Sequence, residues 1–261
     1  MADLHWDAYH PADLIRSRLR LFRERVGRSR AVVSRWLAEC RRPYLSVSGG
    51  KDSVAMLHLA QGVARERGGR LLPVLWHDSG VEMPHVDEVF RRLRAAGLVD
   101  ELHVVRPEED ALKLKRRQTL GELSAAAKDE RLLFRPIRRY VAGRFDGVAL
   151  GLRTGEASPR ARSRAAHGLV YRTVDGLLRC TPLGDWSWRD VYAYIALHRL
   201  PLHPVYSAPL HHLEHRGRIR LSWWCSTDHH RHGELTWLKL VYPELYARLV
   251  AAIPEAKRLP A

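Results

Sequence analysis

The stretch from Pro43 to Arg67 constrains this chain more than any other feature. Tyr44-Leu-Ser-Val47 is a short apolar run that reads as a buried strand. Val54, Met56, Leu57, Leu59, Ala60 and Val63 then recur at helical spacing. Between them lies Ser48-Gly49-Gly50-Lys51-Asp52-Ser53. The two glycines let the backbone approach an anion closely, and their N–H groups can form a concave nest. A helix opening near Ser53 adds free N–H groups and the positive end of its dipole. Lys51 supplies a formal charge, and Ser48 and Ser53 supply hydroxyl donors. Together these suit a pyrophosphate. The loop is not G-x-x-x-x-G-K-[ST], which disfavours a Walker-type nucleotidase.

The alternation continues. Residues 70–76 read as a strand, 84–96 as a helix, 101–105 as a third strand, 132–144 as a basic helix and 147–152 as a fourth strand. Strands alternating with helices predict an α/β fold, a parallel sheet with helices on both faces. Ligands in such sheets bind beyond the carboxyl ends of the strands, here after Val47, Trp76 and Leu152. Two helices are expected over 12–26 and 29–41, one over 186–197, and a terminal amphipathic helix over 237–252 interrupted by Pro243. The expected organisation is therefore N-terminal helices over 1–42 and a nucleotide-binding α/β domain over 43–206. A His- and Arg-rich, mainly helical extension follows over 207–261.

A chain of 261 residues with 46% hydrophobic and 28% charged residues can bury a sizeable core. These proportions exclude disordered, collagen-like and coiled-coil classes. Lys and Arg number 44 against 29 Asp and Glu, a net charge of +15 that favours anionic partners. Cys40, Cys180 and Cys225 form no C-x-x-C pair and no disulfide framework. The acidic start, Met1 to Asp7, is not a secretory signal. No apolar run approaches the roughly 20 residues of a membrane helix. The default expectation is a cytoplasmic protein without a membrane partner.

Four ordered motifs narrow the reading. The loop Ser48 to Ser53 resembles S-G-G-x-D-S, the PP-loop of the adenine nucleotide alpha-hydrolase superfamily. His77-Asp78-Ser79-Gly80-Val81-Glu82 resembles the D-T-G-x-E element of phosphoadenylylsulfate (PAPS) reductases and of the small subunit of bacterial ATP sulfurylase. Residues 151–160, from Gly151-Leu-Arg153 to Arg160, look like G-[IL]-R-x-x-E-S-x-x-R. Pro182 to Trp186 and Asp190 to Ile195 are similar to P-[IL]-x-D-W-x-x-x-D-V-W-x-Y-I, and Leu200 to Tyr206 to L-P-x-x-P-x-Y. The resemblance to the PAPS reductase family covers roughly residues 43–206.

The resemblance implies a nucleotide site at the strand ends. Ser48, Gly49, Gly50, Lys51 and Ser53 would hold the phosphates of ATP, or the phosphosulfate of PAPS. Asp52 would orient the loop or assist Mg²⁺, and Asp78 and Gly80 would lie near the adenosine. Arg153, Arg160 and Arg164 would pair with phosphate or sulfate, which the planar guanidinium matches bidentately. The plainer reading of Arg160, Arg162 and Arg164 is a solvated helix face. Asp185 and Trp186 read as a helix cap and a core aromatic.

The family divides by chemistry. Its reductases carry a nucleophilic cysteine in a C-terminal E-C-G-[IL]-H element, which this sequence lacks. An adenylating enzyme needs no cysteine for its first step, so an AMP-forming ATP pyrophosphatase with Lys51, Asp52 and Arg153 as catalytic residues is favoured. A thiol-dependent reductase using Cys225 is the alternative. Relatives also serve DNA phosphorothioation, which implies a nucleic-acid acceptor and a sulfur donor such as a cysteine desulfurase. Lys113, Lys115, Arg116, Arg117, Arg135, Arg138, Arg139 and Arg144 are the candidate phosphate contacts. Against that stands Arg-rich composition as a proteome-wide bias. Cys225 with His211, His212, His215, His229, His230 and His232 matches no specific zinc spacing, so Cys225 is metal-bound, reactive or structural. Cys40 and Cys180 read as buried and inert.

Overall fold

The structure is a computed structural model and describes residues 4–156, 158–208, 216–221 and 234–258. Two helices open the chain, α1 (Pro11–Ser17) and α2 (Arg20–Glu39). The α/β alternation follows: β1 (Pro43–Ser46), α3 (Lys51–Glu66), β2 (Val74–His77), α4 (Val86–Ala95) and β3 (Leu102–Val105). Then come α5 (Ala111–Thr119) and α6 (Ala125–Asp129). A π-helical turn over Glu130–Phe134 leads into α7 (Arg135–Val141) and β4 (Gly147–Leu150). Helix α8 (Ser158–His167), the hairpin β5 (Val170–Arg172) and β6 (Leu178–Cys180), and α9 (Trp188–His198) complete this part. Helices α10 (Glu234–Val241) and α11 (Pro243–Ala252) follow.

The sheet order is β3-β2-β1-β4-β6-β5, parallel throughout except for the β5–β6 pair. Alternation along each strand divides the core in two. Leu45, Val74 and Ala149 join the cluster shared with α2, α3, α4 and α9. Their neighbours Tyr44, Leu75 and Val148 face Val141 of α7 on the other side. From β1 the chain winds outward through β2 and β3, then returns to place β4 against the other edge of β1. The carboxyl ends of β1 and β4 are thus the topological switch point. No described helix is long and apolar enough to cross a membrane.

The N-terminal helices differ from expectation. The break falls at Arg18 and Leu19, and the expected gap at Gly27 is continuous helix. A mid-helix glycine costs only about 1 kcal/mol. Burial of Phe22, Ser29, Val33 and Trp36 on one face of α2 outweighs that. Helix α1 instead turns back onto α9, where Arg16 and Arg25 both pair with the buried carboxylate of Asp190. The same Asp190 completes a capping box with Ser187, so Ser187 and not Asp185 caps α9. Trp186 is the expected core aromatic, and its indole N–H donates to Ser29 Oγ at 2.8 Å.

Candidate functional site

The loop after β1 is fastened by its own hydroxyls. Ser53 Oγ donates to the Gly50 carbonyl at 2.8 Å and accepts the Ser48 N–H at 3.2 Å. Gly49 sits at φ +77°, a left-handed conformation that glycine adopts without strain, and a Cβ there would lie 3.3 Å from Val86. Helix α3 starts at Lys51, so its first amides and its positive dipole end point out of this loop. The loop after β4 approaches just as closely. A Cβ on Gly151 would stand 2.7 Å from the carbonyl carbon of Asp52, so the β4 loop can lie against α3 only as glycine.

These two loops line one end of a cleft of about 960 Å³. Ser48, Gly50, Lys51, Asp52, Ser53, Gly151 and Arg160 all face it. Its other end runs between α7 and the sheet face and is lined by Tyr44, Ile137, Val141, Phe145 and Val148. The polar end is dominated by cations. Lys51 is 1% exposed, and its ammonium contacts Asp52 at 3.0 Å and donates to the Ile219 carbonyl at 3.1 Å. Arg153 does not itself line the cleft; it stands behind Asp52, 4% exposed, and donates through Nε to the other Asp52 oxygen at 2.5 Å. Burial lowers the Lys51 pKa from the ordinary lysine value, against the pull of Asp52. Burial would raise that of Asp52, but Lys51 and Arg153 outweigh it and hold the carboxyl below the usual range. The guanidinium of Arg160 is pulled down by burial and by the neighbouring charge of Arg220.

Two side chains that sequence reasoning did not single out complete this end. Tyr206 is 5% exposed, and its hydroxyl accepts the backbone N–H of Lys51 at 3.0 Å. Its ring lies 5.3 Å from the Lys51 ammonium, and burial pushes its hydroxyl pKa well above the ordinary value. Arg220 also lines the cleft. Tyr206 was visible only as the last letter of L-P-x-x-P-x-Y, whereas Arg220 carried no local signal.

Other expected residues lie elsewhere. Arg164 does not face the cleft; both arms of its guanidinium reach Asp185, at 3.2 and 3.3 Å. Asp78 accepts the Gly80 N–H at 2.9 Å and pairs with Arg106 at 2.8 Å, and neither Asp78 nor Gly80 lines the cleft. Their loop is closed by Glu82, which accepts both the hydroxyl and the N–H of Ser79. Among the expected nucleic-acid contacts, Lys115 is buried and donates to Gln118 at 3.1 Å, so it is not a surface cation. Arg116, Arg117, Arg138 and Arg139 each pair with a glutamate. Cys225 and the histidines 211, 212, 215, 229, 230 and 232 lie outside the described residues. Cys180 is fully buried, and burial pushes its thiol pKa up. Cys40 is half-buried with its thiol pushed up to about 12, also by burial. It packs at Gly147, the far end of β4 from Gly151. Neither lines the cleft.

A family model for the phosphoadenosine phosphosulfate reductase domain matches residues 42–213. The chain belongs to this family. Sulfate adenylyltransferase subunit 2 of Mycobacterium bovis is 29% identical over 206 residues, 68% of this chain and 62% of that protein. The chain thus spans under two thirds of that relative's length. Phosphoadenosine 5'-phosphosulfate reductase of Xylella fastidiosa is 25% identical over 179 residues, 63% of this chain and 67% of that one. Among solved structures, PAPS reductase from Candida auris, as a phosphate complex, superposes with a TM-score of 0.56 at 18% identity. That match covers 76% of this chain and 89% of the Candida chain, and shows the shared fold.

Proposed function

We propose that this member of the PAPS reductase family binds ATP in the cleft and adenylylates an oxyanion acceptor, releasing pyrophosphate, as a step of sulfur chemistry. The observation that carries the reading is that buried Lys51 and Arg153 share the carboxylate of Asp52 at the switch point, with the further cations Arg160 and Arg220 lining the same cleft. That imbalance, beside the amides of α3, suits the triphosphate. The mycobacterial relatives named sulfate adenylyltransferase subunit 2 support the same reading.

In this mechanism an acceptor oxygen forms a bond to the α-phosphorus of ATP. The bond from that phosphorus to the α–β bridging oxygen breaks, and pyrophosphate leaves with the electron pair. Lys51 gives up the Ile219 carbonyl for a phosphate oxygen, and Arg153 meets the same developing charge. Asp52 holds both cations in place and prevents them from repelling one another. Both of its oxygens are already engaged, so the donor set does not fit a protein-held Mg²⁺, and no step is routed through the metal.

The test is product analysis with labelled ATP and candidate acceptors, sulfate first. AMP or an adenylylated acceptor with pyrophosphate supports the reading, and ADP with phosphate contradicts it. Thioredoxin-dependent sulfite release from PAPS that vanishes in Cys225→Ser would replace it with the reductase reading. An acceptor requirement met by DNA but not by sulfate would assign the acceptor to phosphorothioation.

A further inference from the structure

The apolar end of the cleft has no part in the chemistry proposed above. Strand register explains how it is built. Tyr44 pairs with Val148, Val148 with Arg179 and Arg179 with Tyr171, so the four stand in one row across β1, β4, β6 and β5. Residues paired in register point to the same face of a sheet, here the face under α7. Ile137 and Val141 form the opposite wall. Phe145 closes on Tyr44, with ring centroids 4.8 Å apart.

One member of the row is out of keeping with the rest. Arg179 lines the cleft among apolar and aromatic groups. Its Nη1 donates to the Tyr171 hydroxyl at 3.1 Å, whereas its Nε is buried and meets no acceptor among the described residues. Among the same residues no carboxylate pairs with this guanidinium. Two acids that line the cleft are committed elsewhere, Glu130 to Arg138 and Asp146 to the N–H groups of Arg41 and Arg42 at 2.9 and 2.8 Å. A third, Asp175, stands exposed at the turn between β5 and β6. A buried donor without an acceptor is costly, so the edge of the fork that carries Nε is the open position. A mostly apolar cavity with one convergent charged group has the form of a small-molecule site. A carboxylate meets a guanidinium edge through two parallel hydrogen bonds and needs no second cation.

We propose that this end of the cleft binds an organic acid, with its carboxylate on Arg179 and its aromatic or branched aliphatic body among Tyr44, Ile137, Val141, Phe145 and Val148. The site is separate from the loop end of the cleft and does not depend on the nucleotide reading.

The test is calorimetric titration of the full chain with 4-phenylbutyrate, 4-phenylbutan-1-ol and acetate. The first carries body and charge, the second the body alone and the third the charge alone. Wild type should prefer 4-phenylbutyrate over either control by at least about tenfold. Arg179→Gln should abolish the preference for the acid over the alcohol and leave the alcohol's affinity within about threefold. Arg179→Lys should retain part of the preference, and unchanged thermal melting would show that both variants fold. The wild-type comparison needs no variant: equal affinity for the acid and the alcohol, or no binding of the acid, would overturn the proposal. So would an undiminished preference in Arg179→Gln. Simultaneous binding of AMP and 4-phenylbutyrate would support separate sites, and simple competition between them would overturn the proposal by assigning the apolar end to the nucleotide's base.

Discussion

The polar end of the cleft and the basic helices α5 to α7 are both rich in arginine and lysine, and they treat that charge in opposite ways. On the helices, cations meet carboxylates nearly one for one: Arg116 with Glu255, Arg117 with Glu122, Arg138 with Glu130 and Arg139 with Glu108. At the cleft's polar end, Lys51 and Arg153 share the one carboxylate of Asp52 and both are almost fully buried, and Arg160 and Arg220 line the same cleft. Exposed pairs satisfy each other and contribute little. Buried cations in excess of carboxylates are costly and are retained where an anion completes them. A net charge of +15 therefore says less than where its cations are buried together.

The largest expected effect breaks the contrast at its centre. Lys51→Ala should lower the rate of pyrophosphate release by about 100- to 1,000-fold in a steady-state assay, with the fold retained. Gly151→Ala tests the close approach of the two loops. Its Cβ would meet backbone atoms of Asp52 at 2.7 Å, so a loss of about 1–3 kcal/mol in denaturant unfolding is expected. Nucleotide affinity should fall as well.

The loop that carries Tyr206 supplies a pH test. His203 is 1% exposed; its Nδ1 accepts the Val205 N–H at 3.0 Å, which leaves the proton on Nε2 to reach the Pro84 carbonyl at 2.6 Å. Burial lowers its pKa from 6.5 to about 4, with the Pro84 carbonyl opposing and His85 adding to the shift. The folded state prefers the neutral ring, so its stability is complete above pH 6.5 and is lost as pH falls toward about 4. That window corresponds to about 3 kcal/mol. His203→Asn should flatten the pH dependence of the unfolding midpoint over it.

The smallest effect belongs to the other side of the comparison. Arg139→Gln should change stability by less than about 0.5 kcal/mol and leave turnover unchanged, because its partner Glu108 is exposed. A large loss of turnover there would mean that the paired helices also belong to the site.

What was legible in the sequence was local. The strand, the loop Ser48 to Ser53 and helix α3 follow one another in the chain, so glycines, spacing and periodicity disclosed them together. Gly151 and Arg153 were readable because their motif directly follows β4. Residues that reach the site from a distance were not. Tyr206 lies 155 positions from its partner Lys51, and Ile219 lies 168. No periodicity encodes such a contact. Asp78 and Gly80 lie in a turn whose polar groups pair locally with Glu82 and Arg106, partners that the motif alone did not disclose. The partner of Arg164, Asp185, was hidden for a related reason, as it lies across the hairpin.

The most direct measurement is calorimetric titration of ATP into wild type and into Lys51→Ala and Arg139→Gln at one fixed salt concentration. The cationic end of the cleft predicts binding in wild type, equal binding in Arg139→Gln and loss of binding in Lys51→Ala. Equal ATP affinity in wild type and Lys51→Ala would contradict the account.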